Sequence, residues 1–316
     1  MNISVIITTY NRFNECKRSI NSVLNQIYKP IEIIVIEDAS SSGIENWIRE
    51  NNLNVKYIKN ERNLGLAGSR NKGLKLARGE WIAYLDDDDE WLPNRLEEQV
   101  KEFERLKNNE KEKICVIQCG NETIDEKGNL IGYYLPQNCG NLQESIKKIG
   151  AKTPSSAFLF RKNVLEKMGG FSEDLISGID HDIWMKLAIN NCYNLCVKKP
   201  LVRIYKEPIE TMMTNTNKRI LGIKQYVDKW EEVYKNWFGE KEGMEYKRNY
   251  FSEVISGLVA QKILSREFKD AFVAFKSILQ MNKYFFKSLK YFKLIFLAIL
   301  REELPYKAKQ FLKRFK

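Results

Sequence analysis

Glycine and proline are scarce, at 17 and 7 of 316 residues, which excludes a collagen-like or linker-like chain. There is one histidine, and none of the six cysteines forms a Cys-x-x-Cys pair, so a zinc site of Cys and His is not expected. Cys16, Cys115, Cys119, Cys139, Cys192 and Cys196 are expected as reduced, mostly buried thiols of a cytoplasmic protein. No apolar run approaches the ~20 residues of a membrane span; the longest, Leu294 to Leu300, has seven. The chain enters a strand-like run at Ile3 without a basic and then apolar lead-in, so no secretory signal is expected.

What is present is ordinary globular composition, 43% apolar and 29% charged. The length suffices to bury a core without metals or disulfides. The net charge of +11 is uneven: residues 286–316 hold nine Lys/Arg and two Glu, leaving 43 basic and 39 acidic groups in the rest. A nearly balanced body with a basic end points the end toward an anionic surface.

The first hundred residues alternate between two periods. Ser4–Thr9, Ile31–Ile36, Val55–Ile58 and Trp81–Leu85 read as strands, near-continuously apolar as in sheets covered on both faces. Between them Ile20, Val23, Leu24 and Ile27 fall at helical spacing, Ile44–Arg49 reads as helix, and Leu66–Arg78 reads as helix stopped by Gly79. Pro93 opens a further helix with Leu96, Val100, Phe103 and Leu106 inward. Strands are expected near Cys115–Gln118, Leu130–Tyr134, Ser156–Arg161, Tyr193–Val197 and Leu201–Tyr205, a helix from about Asp180, a loop over 206–217, and helix thereafter. This is an α/β pattern: an open, mostly parallel sheet with helices on both faces, plus a C-terminal helical region.

Ligands in such sheets bind beyond the carboxyl ends of the strands. Thr8, Thr9 and Tyr10 follow the first strand, Glu37 and Asp38 the second, and Asp86–Asp89 the fourth. Five consecutive acids, Asp86 to Glu90, could be a solvated loop. Here they follow an apolar strand directly, amid Trp81, Tyr84 and Trp91. Adjacent carboxylates repel unless a cation or proton neutralises them, and Mg²⁺ and Mn²⁺ favour carboxylate with phosphate oxygens. The run therefore suits a metal–diphosphate site.

Val5–Arg12, Ile34–Ser40, Asn63–Asn71, Leu85–Trp91, Gly169–Glu173 and Asp180–Trp184 resemble, in order, the motifs of family 2 glycosyltransferases with the GT-A fold. The resemblance covers roughly 3–205. It implies a catalytic domain over 1–205, with a nucleotide-sugar half (1–110) and an acceptor half (111–205), followed by a helical region over 206–316. It also implies residue roles. Thr9 and Tyr10 would line the base pocket, Asp38 would hydrogen-bond the base, and Arg70 would contact base or phosphate. Asp86 would touch the ribose or metal region, Asp88 would ligate Mn²⁺ or Mg²⁺, and Asp180 would be the general base. The run also admits Asp87/Asp89 as its metal pair; Asp86/Asp88 is preferred because Leu85, Asp88, Asp89 and Trp91 then all match. Ile179 replaces an acid that often precedes the base.

Each residue has a plainer reading. Asp180 could be a helix N-cap, and Asp182 is expected as a first-turn residue. His181 is expected at the surface or in a structural role, and Trp184, Leu187 and Ala188 in the core. Arg12 could steer diphosphate or be an exposed charge, and Lys72 and Lys75 are expected on a solvated helix face. Near the end, Phe285, Phe286, Leu289, Phe292, Phe296 and Ile299 fall on one helical stripe among lysines. That composition suits a helix lying on anionic lipid, or one packed on the body.

The resulting expectation is an inverting, metal-dependent transferase. It would take a nucleotide-sugar donor, UDP-linked, and a saccharide acceptor that could be lipid-linked. It would be cytoplasmic, with 286–316 available to an anionic membrane, and no nucleic acid is expected. One alternative is a processive polysaccharide synthase, whose usual Gln-x-x-Arg-Trp motif and spans are absent from this sequence. The other is a non-enzymatic module holding nucleic acid through the basic tail.

Overall fold

The computed structural model describes residues 1–125, 127–150, 155–206 and 215–282, with 291–293, 295, 296 and 299. Two compact units emerge: 1–173 with 179–207, and 174–178 with 208–316.

The first unit begins with β1 (Ile3–Thr9), α1 (Phe13–Leu24), β2 (Glu32–Glu37), α2 (Ile44–Glu50), β3 (Lys56–Lys59), α3 (Gly65–Leu76) and β4 (Trp81–Asp86). It continues with β5 (Asp89–Trp91), α4 (Arg95–Glu104), α5 (Asn108–Lys111), β6 (Ile114–Ile124), β7 (Leu130–Tyr134), β8 (Gly140–Asn141) and α6 (Leu142–Ile149). A 3₁₀ turn (Ser155–Ala157), β9 (Phe158–Arg161), α7 (Lys162–Lys167), α8 (Ile179–Ile189) and β10 (Tyr193–Tyr205) complete it.

All ten strands form one sheet, in the order β3-β2-β1-β4-β9-β6-β10-β5, with β7 on β6 and β8 on β10. β1 to β4 are mutually parallel, and β9 runs antiparallel between β4 and β6, which restores their direction in β6 and β10. The strands with candidate residues therefore end on one edge. Every residue of β1 is buried because helices cover both faces. Val5 and Ile7 share a core with Cys16, Ile20 and Val23 of α1 and Leu96 of α4. Ile6 points the other way, onto Gly73 of α3, where an added Cβ would come within 2.5 Å of it.

Several expectations change. α3 ends at Leu76 with Ala77 extended as its cap, so Gly79 is not its stop. A Cβ at Gly79 would lie 2.6 Å from Ser4 N, and its role is close backbone approach. Pro93 precedes Asn94, the N-cap of α4. The two strands expected over 193–205 are one strand with bulges in its pairing to β6. The acidic run is half strand, since Asp89-Glu90-Trp91 pairs with β10.

The thiol expectation fails at two positions, where Cys139 and Cys196 form a disulfide with Cα atoms 5.6 Å apart. Pairing of Gly140 with Asn194 brings the neighbouring cysteines together, a proximity that spacing along the chain does not reveal. Cys16, Cys119 and Cys192 are buried and Cys115 is half-buried.

In the second unit, α9 (Thr216–Lys229), α10 (Glu231–Phe238), α11 (Glu240–Leu264) and α12 (Phe268–Asn282) follow, with α11 packed on the other three. Among the described residues no helix is long and apolar enough to cross a membrane. Most of 286–316, and 207–214 of the expected loop, lie outside the described residues.

Candidate active site

The acidic run is the turn between β4 and β5, so its side chains alternate in direction. Asp87 and Asp89 are buried, while Asp86 and Asp88 are partly exposed. Two elements hold this register. Pairing of Asp89 with Ile204 and of Trp91 with Val202 fixes one side. A buried polar stripe on α1 and the turn after it fixes the other. Ser19 Oγ lies 3.2, 2.8 and 2.6 Å from the carbonyl oxygens of Asp86, Asp87 and Asp89. Ser22 Oγ accepts from Trp91 N at 3.1 Å, and Gln26 donates to Leu92 O and accepts from Leu96 N. Ser156 Oγ accepts from Asp86 N, and its carbonyl accepts from the Trp91 indole. The spacing of Ser19, Ser22 and Gln26 at three and four residues was a readable helical stripe; reading only apolar positions missed it.

Crowding and burial perturb these acids. Burial pushes the Asp87 carboxyl up to about 7, against the pull of Arg12 and the Thr9 hydroxyl. Burial and then Asp86 raise Asp88, and burial with Asp88 holds Asp89 well above the ordinary carboxylate range. Burial is the larger cause at each of the three, with repulsion from neighbouring acids adding to it.

Two arginines supply charge from opposite sides. Arg12 Nη1 lies 3.0 Å from Asp87 Oδ1 and 2.6 Å from Asp88 Oδ2, so it is not a solvated charge. Arg70 of α3 is only 1% exposed. Its Nη2 donates to Asp86 Oδ1 at 2.5 Å and its Nη1 to Asp180 Oδ1 at 2.8 Å. Burial opposes the Arg70 charge, but the two carboxylates outweigh it and raise its pKa. The Tyr84 and Phe171 rings lie 5.7 and 5.0 Å from the guanidinium. One side chain thus joins the end of β4 to the start of α8, where Asp180 is a first-turn residue.

The next residue, Asn71, donates to Phe171 O at 2.9 Å and Glu173 Oε1 at 2.7 Å, and accepts from Phe171 N at 2.8 Å. Gly170, at φ 67°, leaves room for it; a Cβ there would lie 2.4 Å from Asn71 Oδ1. Two stretches a hundred residues apart are therefore one structural unit. Asp182 is buried and accepts from Ser172 Oγ at 2.6 Å, and Trp184, Leu187 and Ala188 are core.

Asp38 lies apart from this cluster. Its Oδ1 accepts from Asn60 Nδ2 and Leu64 N, and its Oδ2 from Gly65 N, each at 2.8 Å, which fixes the start of α3. Lys72 donates to Asn60 Oδ1 at 2.7 Å and so belongs to this network rather than to a solvated face; Lys75 is exposed. Glu37 accepts from Ser40, Ser42 N and Tyr57, bracing the turn after β2. Thr9 is buried and Tyr10 is 52% exposed, placing an aromatic surface at the rim of the same edge.

Among the described residues no three His, Cys, Asp or Glu side chains are arranged to hold a metal by themselves. Asp86 and Asp88 nonetheless offer two outward oxygen donors. That set fits a divalent ion whose coordination is completed by phosphate oxygens and water, provided the two arginine contacts yield or share.

Comparison with known proteins identifies the family and the fold. The family model described as glycosyl transferase family 2 matches residues 4–169. A glycosyltransferase of Methanocaldococcus jannaschii is 34% identical over 214 residues, covering 65% of this chain and 71% of that one. An Escherichia coli protein named UDP-Glc:alpha-D-GlcNAc-diphosphoundecaprenol beta-1,3-glucosyltransferase WfgD is 30% identical over 192 residues, covering 60% and 70%. Three Rickettsia glycosyltransferases at 30–32% identity are longer, and the chain spans 31% of each. S. aureus TarS 1-349 in complex with UDP-GlcNAc superposes with a TM-score of 0.60 at 21% identity, over 89% of this chain and 81% of that one. With its open α/β sheet, motif-bearing edge and matched family model, the chain belongs to glycosyl transferase family 2 and has the GT-A fold.

Proposed function

We propose that this glycosyltransferase inverts the anomeric centre while moving a sugar from a UDP-sugar to a saccharide acceptor, in surface polysaccharide or glycan assembly. The observation that carries the reading is the Asp86–Arg70–Asp180 bridge. It sets the acid at the end of β4 and the candidate base one guanidinium apart, which brings the donor-side acid and the candidate base to one place. Asp86 and Asp88 would hold Mn²⁺ or Mg²⁺ together with the diphosphate; when bound, the ion neutralises charge developing on the leaving group. Thr9 and Tyr10 would line the base pocket. Asp38 would meet the base through the second lone pair of Oδ2, and Arg70 would face base or phosphate as Asp86 turns to the donor. Asp180 would take the proton of the acceptor hydroxyl as its oxygen attacks. In this reading 1–110 handles the donor and 111–205 the acceptor.

The UDP-sugar assignment is supported by the names of WfgD and of the TarS complex. A lipid-linked acceptor is supported by WfgD's diphosphoundecaprenol substrate. Peripheral attachment through 286–316 is supported by exposed Phe268, Phe272, Phe292 and Phe296 in the second unit and by the basic tail. A thermal-shift screen of nucleotide sugars with and without Mn²⁺ tests the donor and metal together, since a ligand bound only to the folded state raises Tm by mass action. Stabilisation by a UDP-sugar that grows with Mn²⁺ and vanishes in Asp88→Asn is expected. Equal UDP affinity in EDTA and in Mn²⁺ defeats the metal reading.

A further inference from the structure

Asp88 already carries a cation. Arg12 Nη1 sits 2.6 Å from its Oδ2 and 3.0 Å from Asp87 Oδ1. A divalent ion at ~2.1 Å from that oxygen would meet a guanidinium in the same space, and like charges so close repel strongly. An ion on Asp88 therefore weakens or displaces the Arg12 contact.

The two arginines of the site differ in how they are held. Arg70 is enclosed beside aromatic rings, between two carboxylates on different elements. Arg12 is about a fifth exposed. It sits in the turn between β1 and α1, at the N-cap position of α1 with extended backbone (φ −128°, ψ 98°), after Asn11 at φ 55°. Its long stem can redirect the guanidinium without moving the sheet, and the same planar fork serves carboxylate and phosphate.

We propose that Arg12 is an exchangeable counter-cation, holding the Asp87–Asp88 pair while no divalent ion is bound and passing to the donor's diphosphate when the ion takes Asp88. The proposal rests on the metal reading of Asp86 and Asp88 given above. It has a consequence which that reading lacks. Metal alone leaves Arg12 with Asp87 as its one remaining carboxylate, whereas metal with a diphosphate gives it a second partner. Mn²⁺ and UDP therefore bind cooperatively, and by linkage the coupling is reciprocal.

The test is Mn²⁺ titration followed by electron paramagnetic resonance, with and without UDP, on the full chain and on Arg12→Gln, Arg12→Lys and Asp88→Asn. With its competitor removed, Arg12→Gln should bind Mn²⁺ alone about two- to fivefold tighter. The gain in Mn²⁺ affinity on adding UDP should shrink by about tenfold, as a charge-assisted phosphate contact is lost. Arg12→Lys keeps the charge without the fork; it should move the UDP-dependent gain the same way by less, and it provides the readout if the glutamine variant melts early. Wild-type Mn²⁺ affinity and UDP coupling in the folded Arg12 variants overturn the proposal. Asp88→Asn separates the two failures. If it loses Mn²⁺ while the Arg12 variants titrate like wild type, only the exchange is wrong. If it binds Mn²⁺ normally, the metal reading falls and the exchange with it.

Discussion

The two units bury polarity in different ways. In the first, buried polar groups reach across the chain: Arg70 meets a partner 110 residues away and Asn71 one 100 residues away. In the second, the interior is largely apolar and aromatic, with Tyr226 against Tyr250 and Tyr234 against Tyr246, at ring distances of 5.3 and 4.9 Å. Its buried Lys247 finds Asp228 and Glu231 within nineteen residues or fewer. A buried hydrogen-bonded pair admits few substitutes, because removing one partner leaves the other unsatisfied. An apolar interior admits many, provided volume is kept. The second unit has such pairs too, Thr216 with Asp270 and Asn282 with Ser252, but none of them joins candidate site residues.

The comparison predicts where mutation affects transfer and where it affects only folding. The largest effect is expected at Arg70→Ala, which strips a shared cation from Asp86 and Asp180. Transfer should vanish, and stability should fall by about 3 kcal/mol, a Tm drop of roughly 6–12 °C for a domain of this size. A melting curve and an assay of released UDP read both, and an active, undisturbed variant breaks the contrast at its centre. Asp180→Asn comes next. The amide keeps an oxygen for Arg70 but cannot take a proton, so donor binding should persist while turnover drops by roughly 100-fold or more. Wild-type turnover would reduce Asp180 to a first-turn helix residue.

Much of the first unit was legible because strand runs and helical stripes follow simple periods. β1, β2 and β4 lie within a residue or so of their expected limits, since covered parallel strands are continuous in apolar character. The Asp86–Asp180 connection was not legible, because nothing local in Arg70 says that its partner lies 110 positions on. Nor was the Cys139–Cys196 bridge, which depends on β8 and β10 pairing. The strand at Asp89–Trp91 was hidden by composition: acids disfavour strands, and tertiary pairing with β10 overrode that preference. α6 and α7 lay in a stretch whose period was too short to read.

A smaller effect on transfer is expected in the second unit. Phe251 of α11 is almost fully buried, and Phe251→Leu should cost about 1–2 kcal/mol through imperfect packing. KM for donor should stay unchanged below the melting transition. A shifted KM at full folding would show that this interior takes part in the site, and the contrast between the units would need redrawing.

The smallest effect on chemistry, and the sharpest test of what the second unit is for, concerns the tail. Residues 303–316 contain five Lys/Arg and one Glu, while the exposed Phe292 and Phe296 lie before them. Each basic residue near an anionic surface contributes up to about 1 kcal/mol, less as salt rises. Truncation at 302 should therefore weaken co-sedimentation with anionic vesicles by about tenfold or more at low salt. It should leave neutral vesicles indifferent and leave turnover on a short soluble acceptor unchanged, because no candidate site residue is removed. Turnover on a vesicle-borne acceptor should fall with binding, since the truncated enzyme spends less time at the surface that holds its substrate. If the intact chain ignores anionic vesicles at low salt, the docking reading is wrong, and the basic tail must answer to a packing role or a soluble partner.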